Sequence, residues 1–247
     1  MSHYSVLVLH KEDQDIDTLL APYDENLEVK PYLKLTNDEA ITKARKEYDD
    51  NYSEKELIKC YAEDYGYIVL DDGLYSTYNP NSKWDWYQVG GRFGGSLPLT
   101  NEALKKEYSE YTDYPFTDTA PINYVNWKYK HLTEEEKNKI RRWWEINIYD
   151  APLKEGEEKD KYLFYNPEYY KRRYRNAETD IKVQEIIKFF AVITPDGKWY
   201  APSNMGWWAC TDGEPEDELK WDLEFYDRFI EPNLDSDLIC TVVDCHI

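Results

Sequence analysis

Hydrophobic and polar positions alternate from the first residues of the chain. His3–Leu9, His-Tyr-Ser-Val-Leu-Val-Leu, is rich in Val and Leu and predicts a buried first strand. At the other end, Leu238–Ile247 (Leu-Ile-Cys-Thr-Val-Val-Asp-Cys-His-Ile) predicts a final strand, and the first strand is its natural neighbour. Thr36-Asn37-Asp38 supplies N-cap chemistry for a helix over roughly 38–49. Ser53 with Glu56 forms a capping box for a second helix, which Gly66 ends. Tyr67–Leu70 then predicts a short strand, Asp71–Pro98 a long loop, and Asn101–Tyr111 a short helix. Thr112–Pro121 reads as an irregular surface crossing.

Thr133 and Glu136 open a charged helix that runs through Ile148. Lys154–Lys161 is a connector, and Tyr162–Arg175 alternates aromatic and basic residues. Ile186–Thr194 and Lys198–Ala201 flank Pro195-Asp196-Gly197, a hairpin signal. Pro215 and its acidic neighbours open a helix carrying Leu219, Leu223, Tyr226 and Ile230 at helical spacing, and Pro232 stops it. This order predicts one α+β domain over residues 1–247. Its mainly antiparallel sheet is built from both chain ends, with helices packed on it.

Composition narrows the function classes. Thirty Lys and Arg against 50 Asp and Glu give a net charge of −20. That field repels phosphates and disfavours direct nucleic-acid binding, while favouring a basic protein partner. No apolar run reaches the length of a membrane span, and the first residues lack a basic, cleavable leader pattern. Four scattered cysteines (Cys60, Cys210, Cys240, Cys245) without Cys-x-x-Cys spacing fit reduced thiols in a cytoplasmic setting.

The chain has ten glycines, and four of them (Gly90, Gly91, Gly94, Gly95) fall within six positions of Asn79–Gly95. Glycine serves where φ is positive or where something approaches the main chain closely. The same stretch holds Trp84, Asp85, Trp86, Tyr87 and Arg92. If it is extended, Trp84 and Trp86 share one face and Asp85 and Tyr87 the other. Arg92 can offer a bidentate fork to a phosphate or carboxylate. Trp207 and Trp208, after Gly206, form a second aromatic loop able to face the first across one pocket. The same residues also suit a plain structural role, with both Trp as core anchors and Asp85 paired to Arg92.

Three other clusters carry chemistry. Asp244, Cys245 and His246 close the last strand, and antiparallel pairing would bring His3 within their reach. Cys245 and His246 are consecutive, so a strand points them to opposite faces. Asp212–Glu218 has hard-cation donors but no EF-hand spacing, and it reads as the acidic start of a helix. No metal site or cofactor is expected. Tyr169–Arg175 is the one basic island, fit for phosphates or for pairing with neighbouring carboxylates.

Met1-Ser-His-Tyr-Ser-Val-Leu-Val, Leu20–Asn26, Asn79-Pro-Asn-Ser-Lys-Trp-Asp-Trp-Tyr with Gly-Gly-Arg92, Met205-Gly-Trp-Trp208 and Val242-Val-Asp-Cys-His-Ile247 together resemble a family of uncharacterised phage and prophage proteins. The resemblance runs along the whole chain. It implies a cytoplasmic, virus-associated protein of a bacterial host, and it carries no activity or residue role. The expected function is binding of a small planar anion, such as a nucleotide, by Trp84, Asp85, Trp86, Tyr87, Gly90, Gly91, Arg92, Trp207 and Trp208. Two alternatives stand beside it. One is an acidic inhibitor of a basic host defence or nucleic-acid enzyme; the other is a nucleotide-processing hydrolase or transferase with Asp85 or His246 as base.

Overall fold

The computed structural model describes residues 2–48, 51–106, 115–206, 208 and 210–247. The chain divides into two compact units, Met1–Leu20 with Trp84–Ile247, and Ala21–Lys83. In chain order the elements begin with β1 (His3–His10), α1 (Ile16–Leu20), β2 (Tyr32–Thr36), α2 (Asn37–Ala44), α3 (Glu54–Tyr65), β3 (Ile68–Leu70) and β4 (Gly73–Ser76). There follow β5 (Trp86–Val89), β6 (Leu97–Pro98), α4 (Asn101–Lys106), β7 (Phe116–Thr117), β8 (Thr119–Pro121) and α5 (Glu134–Asn147). The chain ends with α6 (Pro167–Tyr174), α7 (Ala177–Gln184), β9 (Ala191–Ile193), β10 (Trp199–Tyr200), α8 (Pro215–Phe225) and β11 (Ile239–His246). No helix among the described residues is long and apolar enough to cross a membrane.

The fold is α+β, and its largest sheet joins both ends of the chain. Strand order is β10-β9-β1-β11-β5, with β8 also on β11. β1 runs parallel to β9, while every other pairing in this sheet is antiparallel. The smaller unit holds an antiparallel sheet β2-β4-β3, with α2 and α3 packed around Leu35, Leu57, Tyr61 and Leu74.

Local chemistry explains the helix starts. Thr36, Ser53 and Thr133 each accept from the backbone N–H three residues on, and Glu39, Glu56 and Glu136 reach back to the capping residue. Asn166 caps α6, with Pro167 in its first turn. Two expectations need correction. The stretch Asp71–Pro98 is not one loop, because it contains β4, β5 and β6. Residues 115–121 are also not irregular, since β7 and β8 lie there. These strands are two to four residues long, too short for alternation to register. The helix from Asn101 is described as far as Lys106, and its expected continuation to Tyr111 lies outside the described residues.

The same carboxylates predict an acid sensitivity. Hydrogen bonds from the capping residues hold Glu39, Glu56 and Glu136 below the usual carboxylate range. The Arg142 guanidinium, with the Lys154 N–H, brings Glu157 down to about 2. A carboxyl depressed in the folded state stabilises it fully above its unfolded value, and that contribution fades as pH falls through the folded value. The urea midpoint is therefore expected to drop between about pH 5 and about pH 3, and less steeply in Thr133→Ala. A midpoint flat across that window would contradict the assignment.

Register decides where the core stops. His3 opposes His246, Ser5 opposes Asp244, Leu7 opposes Val242 and Leu9 opposes Cys240. Opposed and alternate residues share a face, so these eight side chains lie on one side of the sheet. Leu7, Leu9, Val192, Cys240 and Val242 bury themselves there under Trp221, Phe225 and Phe229. Further along the same face the side chains turn polar: Ser5 with Asp244, then His3 with His246. The other face stays apolar at Val6, Val8, Val243 and Cys245, all fully buried.

Candidate functional site

β5 adds the last strand beside β11, with Trp86 opposite His246 and Gln88 opposite Asp244. The polar end of the sheet face therefore gathers His3, Trp86, Asp244 and His246. His3 Nδ1 lies 2.9 Å from Asp244 Oδ1, and His246 Nδ1 lies 2.6 Å from Asp85 Oδ1. A carboxylate oxygen accepts, so each Nδ1 is the donor and each imidazole is oriented by its own acid. Neither Nε2 has a hydrogen-bond partner among the described residues. The two imidazole centroids are 5.0 Å apart, edge to face. Trp86 stacks on His246 at 5.0 Å and 17°, and its residue is 43% exposed. Both imidazoles are largely buried, as is Asp244 at 1% exposed; of the four side chains only Asp85 is partly open to water.

The glycine-rich turn that follows β5 serves these acids. The Arg92 N–H donates to Asp244 Oδ2 at 2.9 Å, and the Gly95 N–H to Asp118 Oδ1 at 2.6 Å. Gly90 and Gly91 have φ of +70° and +52°. A Cβ on Gly90 would sit 2.2 Å from Asp118 Oδ2, and one on Gly91 2.5 Å from Asp244 Cβ. The N–H groups of Gly90, Phe93 and Gly94 go to backbone carbonyls. The turn thus cradles anions, but the anions are the protein's own Asp118 and Asp244. Composition signals the close approach; nothing local to the turn signals that residues 118 and 244 make it.

The other residues named from sequence separate. Trp84 is buried, and its indole N–H donates to the Leu20 carbonyl. It packs edge to face on Tyr87, whose hydroxyl bonds Asp17 on the opposite face from Trp86. The expected alternation fails here: Trp84 goes with Tyr87, and Asp85 goes with Trp86. The reason is a bend at Asp85, whose side chain accepts the Trp86 N–H while its own N–H donates to the His246 carbonyl. The Asp85–Arg92 pair is absent, and the exposed Arg92 side chain forms no ion pair among the described residues. Trp208 is 81% exposed, and Trp207 lies outside the described residues. Ser2 donates to the Gly206 carbonyl at 2.7 Å, tying Gly206 beside the start of β1.

Cys245 points away from His246, as alternation requires. Burial, then the Asp244 charge, pushes its thiol well above the usual range, and burial does the same at Cys240. A nucleophilic Cys–His pair is therefore not formed. Ellman's reagent is expected to modify exposed Cys210 first and half-buried Cys60 more slowly, leaving Cys240 and Cys245 until the protein unfolds. Rapid native labelling of either strand cysteine would refute this placement.

The basic island and the acidic helix start resolve into each other. Arg172 pairs with Glu214 and Glu216, and Arg173 with Glu218 and Asp222. Among the described residues no group of three His, Cys, Asp or Glu side chains is placed to hold a metal ion. No protein-family model matches the chain, and comparison with curated proteins and with solved structures gives no match.

Proposed function

We propose that this protein, whose sequence resembles uncharacterised phage and prophage proteins, binds a small planar anion on the shelf made by Trp86, His246 and His3. The observation that carries the reading is the half-exposed Trp86 stacked on an imidazole that Asp85 orients. A flat ring extends such a stack, and stacking on an aromatic contributes about 1–3 kcal/mol. With Nδ1 carrying the proton, the Nε2 atoms of His3 and His246 accept from ring N–H groups, and Arg92, whose backbone N–H donates to Asp244 and whose side chain is exposed, supplies a cation. The recognition group is thus imidazole and guanidinium rather than the backbone of the glycine turn.

Calorimetric titration with nucleoside monophosphates tests this. Saturable binding is expected, weakened about five- to a hundredfold in Trp86→Ala and also reduced in Arg92→Ala. If no monophosphate saturates, or both variants bind like the parent, the reading falls. A second reading has its own observation behind it. Two acid-oriented imidazoles 5.0 Å apart form a general acid and base pair, which suits hydrolysis or transfer on a nucleotide-like ester. It expects turnover of nucleotide esters that drops about a hundred- to ten-thousandfold in His3→Ala or His246→Ala.

A further inference from the structure

A second site is built into the larger unit, independent of the Trp86 shelf. A cavity of about 560 Å3 is bounded by Tyr165, Tyr169, Arg173, Lys188, Phe190 and Trp221 among others. Its polar wall is tightly organised. Arg173 Nε lies 3.0 Å from Glu218 Oε2, its Nη2 pairs with Asp222, and Lys188 Nζ meets the same Asp222 oxygen at 2.7 Å. The guanidinium also lies over the Tyr174 ring at 4.8 Å. It is held from three sides and its side chain is only 10% exposed.

One donor is left over. Arg173 Nη1 is buried and has no hydrogen-bond partner among the described residues. A buried guanidinium N–H without an acceptor is costly, and buried polar groups are as a rule satisfied. The other such side-chain atom among the described residues is Ser203 Oγ. Ser203 follows Pro202 and packs on Gly213, which both line the wall, but its own side chain lies behind them and is not part of the lining. An unfilled guanidinium donor on a residue of the cavity wall calls for a ligand group with an acceptor oxygen. Tyr165 and Tyr169, stacked at 3.9 Å, supply a flat apolar wall.

We propose that this cavity binds a small aromatic monocarboxylate, its carboxylate accepting from Arg173 Nη1–H and its ring lying on the tyrosines. Charge restricts the ligand to one negative charge. Arg173 and Lys188 are matched by Glu218 and Asp222, so the wall holds a preset fork but no surplus positive charge. A phosphate dianion there faces two carboxylates at close range.

The test titrates the full chain with benzoate and indole-3-carboxylate, using phenyl phosphate and benzyl alcohol as comparators, and follows amide NMR shifts. Saturable binding of the carboxylates is expected, with shifts at Tyr169, Lys188 and Phe190. It should weaken about tenfold or more in Arg173→Lys and in Tyr165→Ala, and be unaffected in Trp86→Ala. Tyr165 is exposed, so its variant decides the matter even if Arg173→Lys fails to fold. No saturation by either carboxylate, or unchanged binding in Tyr165→Ala, overturns the proposal, as does phenyl phosphate or benzyl alcohol binding as tightly as benzoate. Loss of binding in Trp86→Ala would move the ligand to the shelf and overturn it too.

Discussion

Gly91→Ala is expected to lower the unfolding free energy by about 2–5 kcal/mol and to loosen the His3–Asp244 pair in the same step. Two costs add. A residue with a Cβ at φ +52° carries the left-handed penalty of roughly 1–2 kcal/mol. The new methyl then meets Asp244 Cβ at 2.5 Å and Oδ2 at 2.6 Å. Asp244 cannot yield easily, because β11 is paired on both sides at that residue, to Ser5 and to Gln88. Overpacking of a fixed neighbour adds roughly 1–3 kcal/mol. Gly197→Ala supplies the control, since its φ is +76° but nothing lies within 4 Å of an added Cβ. Urea denaturation should show Gly197→Ala losing the conformational part alone, while the His3 imidazole NMR signals shift only in Gly91→Ala. Equal losses in the two variants would show that the approach of Asp244 costs nothing.

How much of this was legible in the sequence follows from the range of each signal. Capping boxes span three residues, so Ser53–Glu56 and Thr133–Glu136 could be read directly. The strands β1 and β11 are eight residues each, long enough for their patterns to show, and the pairing of His3 with His246 followed from placing them side by side. By contrast α6 and α7, at eight residues, were hidden. The residues of α6 read as an alternation of aromatic and basic residues rather than a helix, and Asn176, which caps α7, stands among polar residues. The site was half legible. Glycine density announced a close approach, but the acids that make it, Asp118 and Asp244, lie 23 and 152 residues from their N–H donors. Alternation grouped Trp84 with Trp86 wrongly because a single bend at Asp85 precedes the strand. Short-range rules see caps and faces; they do not see which distant carboxylate fills a turn.

Asp222→Ala is expected to cost about 3–5 kcal/mol, the largest loss for any charged residue of the larger unit. Asp222 is buried and answers two cations at once, Arg173 and Lys188. Removing it strands both in a low-dielectric wall, and breaking a buried pair costs more than the pair itself stabilises. Glu214→Ala, which removes an exposed partner of Arg172, should change stability by about 1 kcal/mol or less. A pH signature separates lost charge pairing from lost packing. Burial lowers the Lys188 pKa and Asp222 opposes that shift, so the variant deepens it. Between the lowered folded value and the ordinary unfolded one, the unfolded chain binds more protons, and stability rises with pH. Asp222→Ala should therefore recover part of its loss between about pH 7 and about pH 10, beyond any recovery in the parent. The window ends there because Tyr4 and Tyr87, whose phenols burial pushes up, act in the opposite sense once unfolded tyrosine ionises. A deficit that stays constant across the window would assign the loss to packing and leave Arg173 and Lys188 without need of their shared carboxylate.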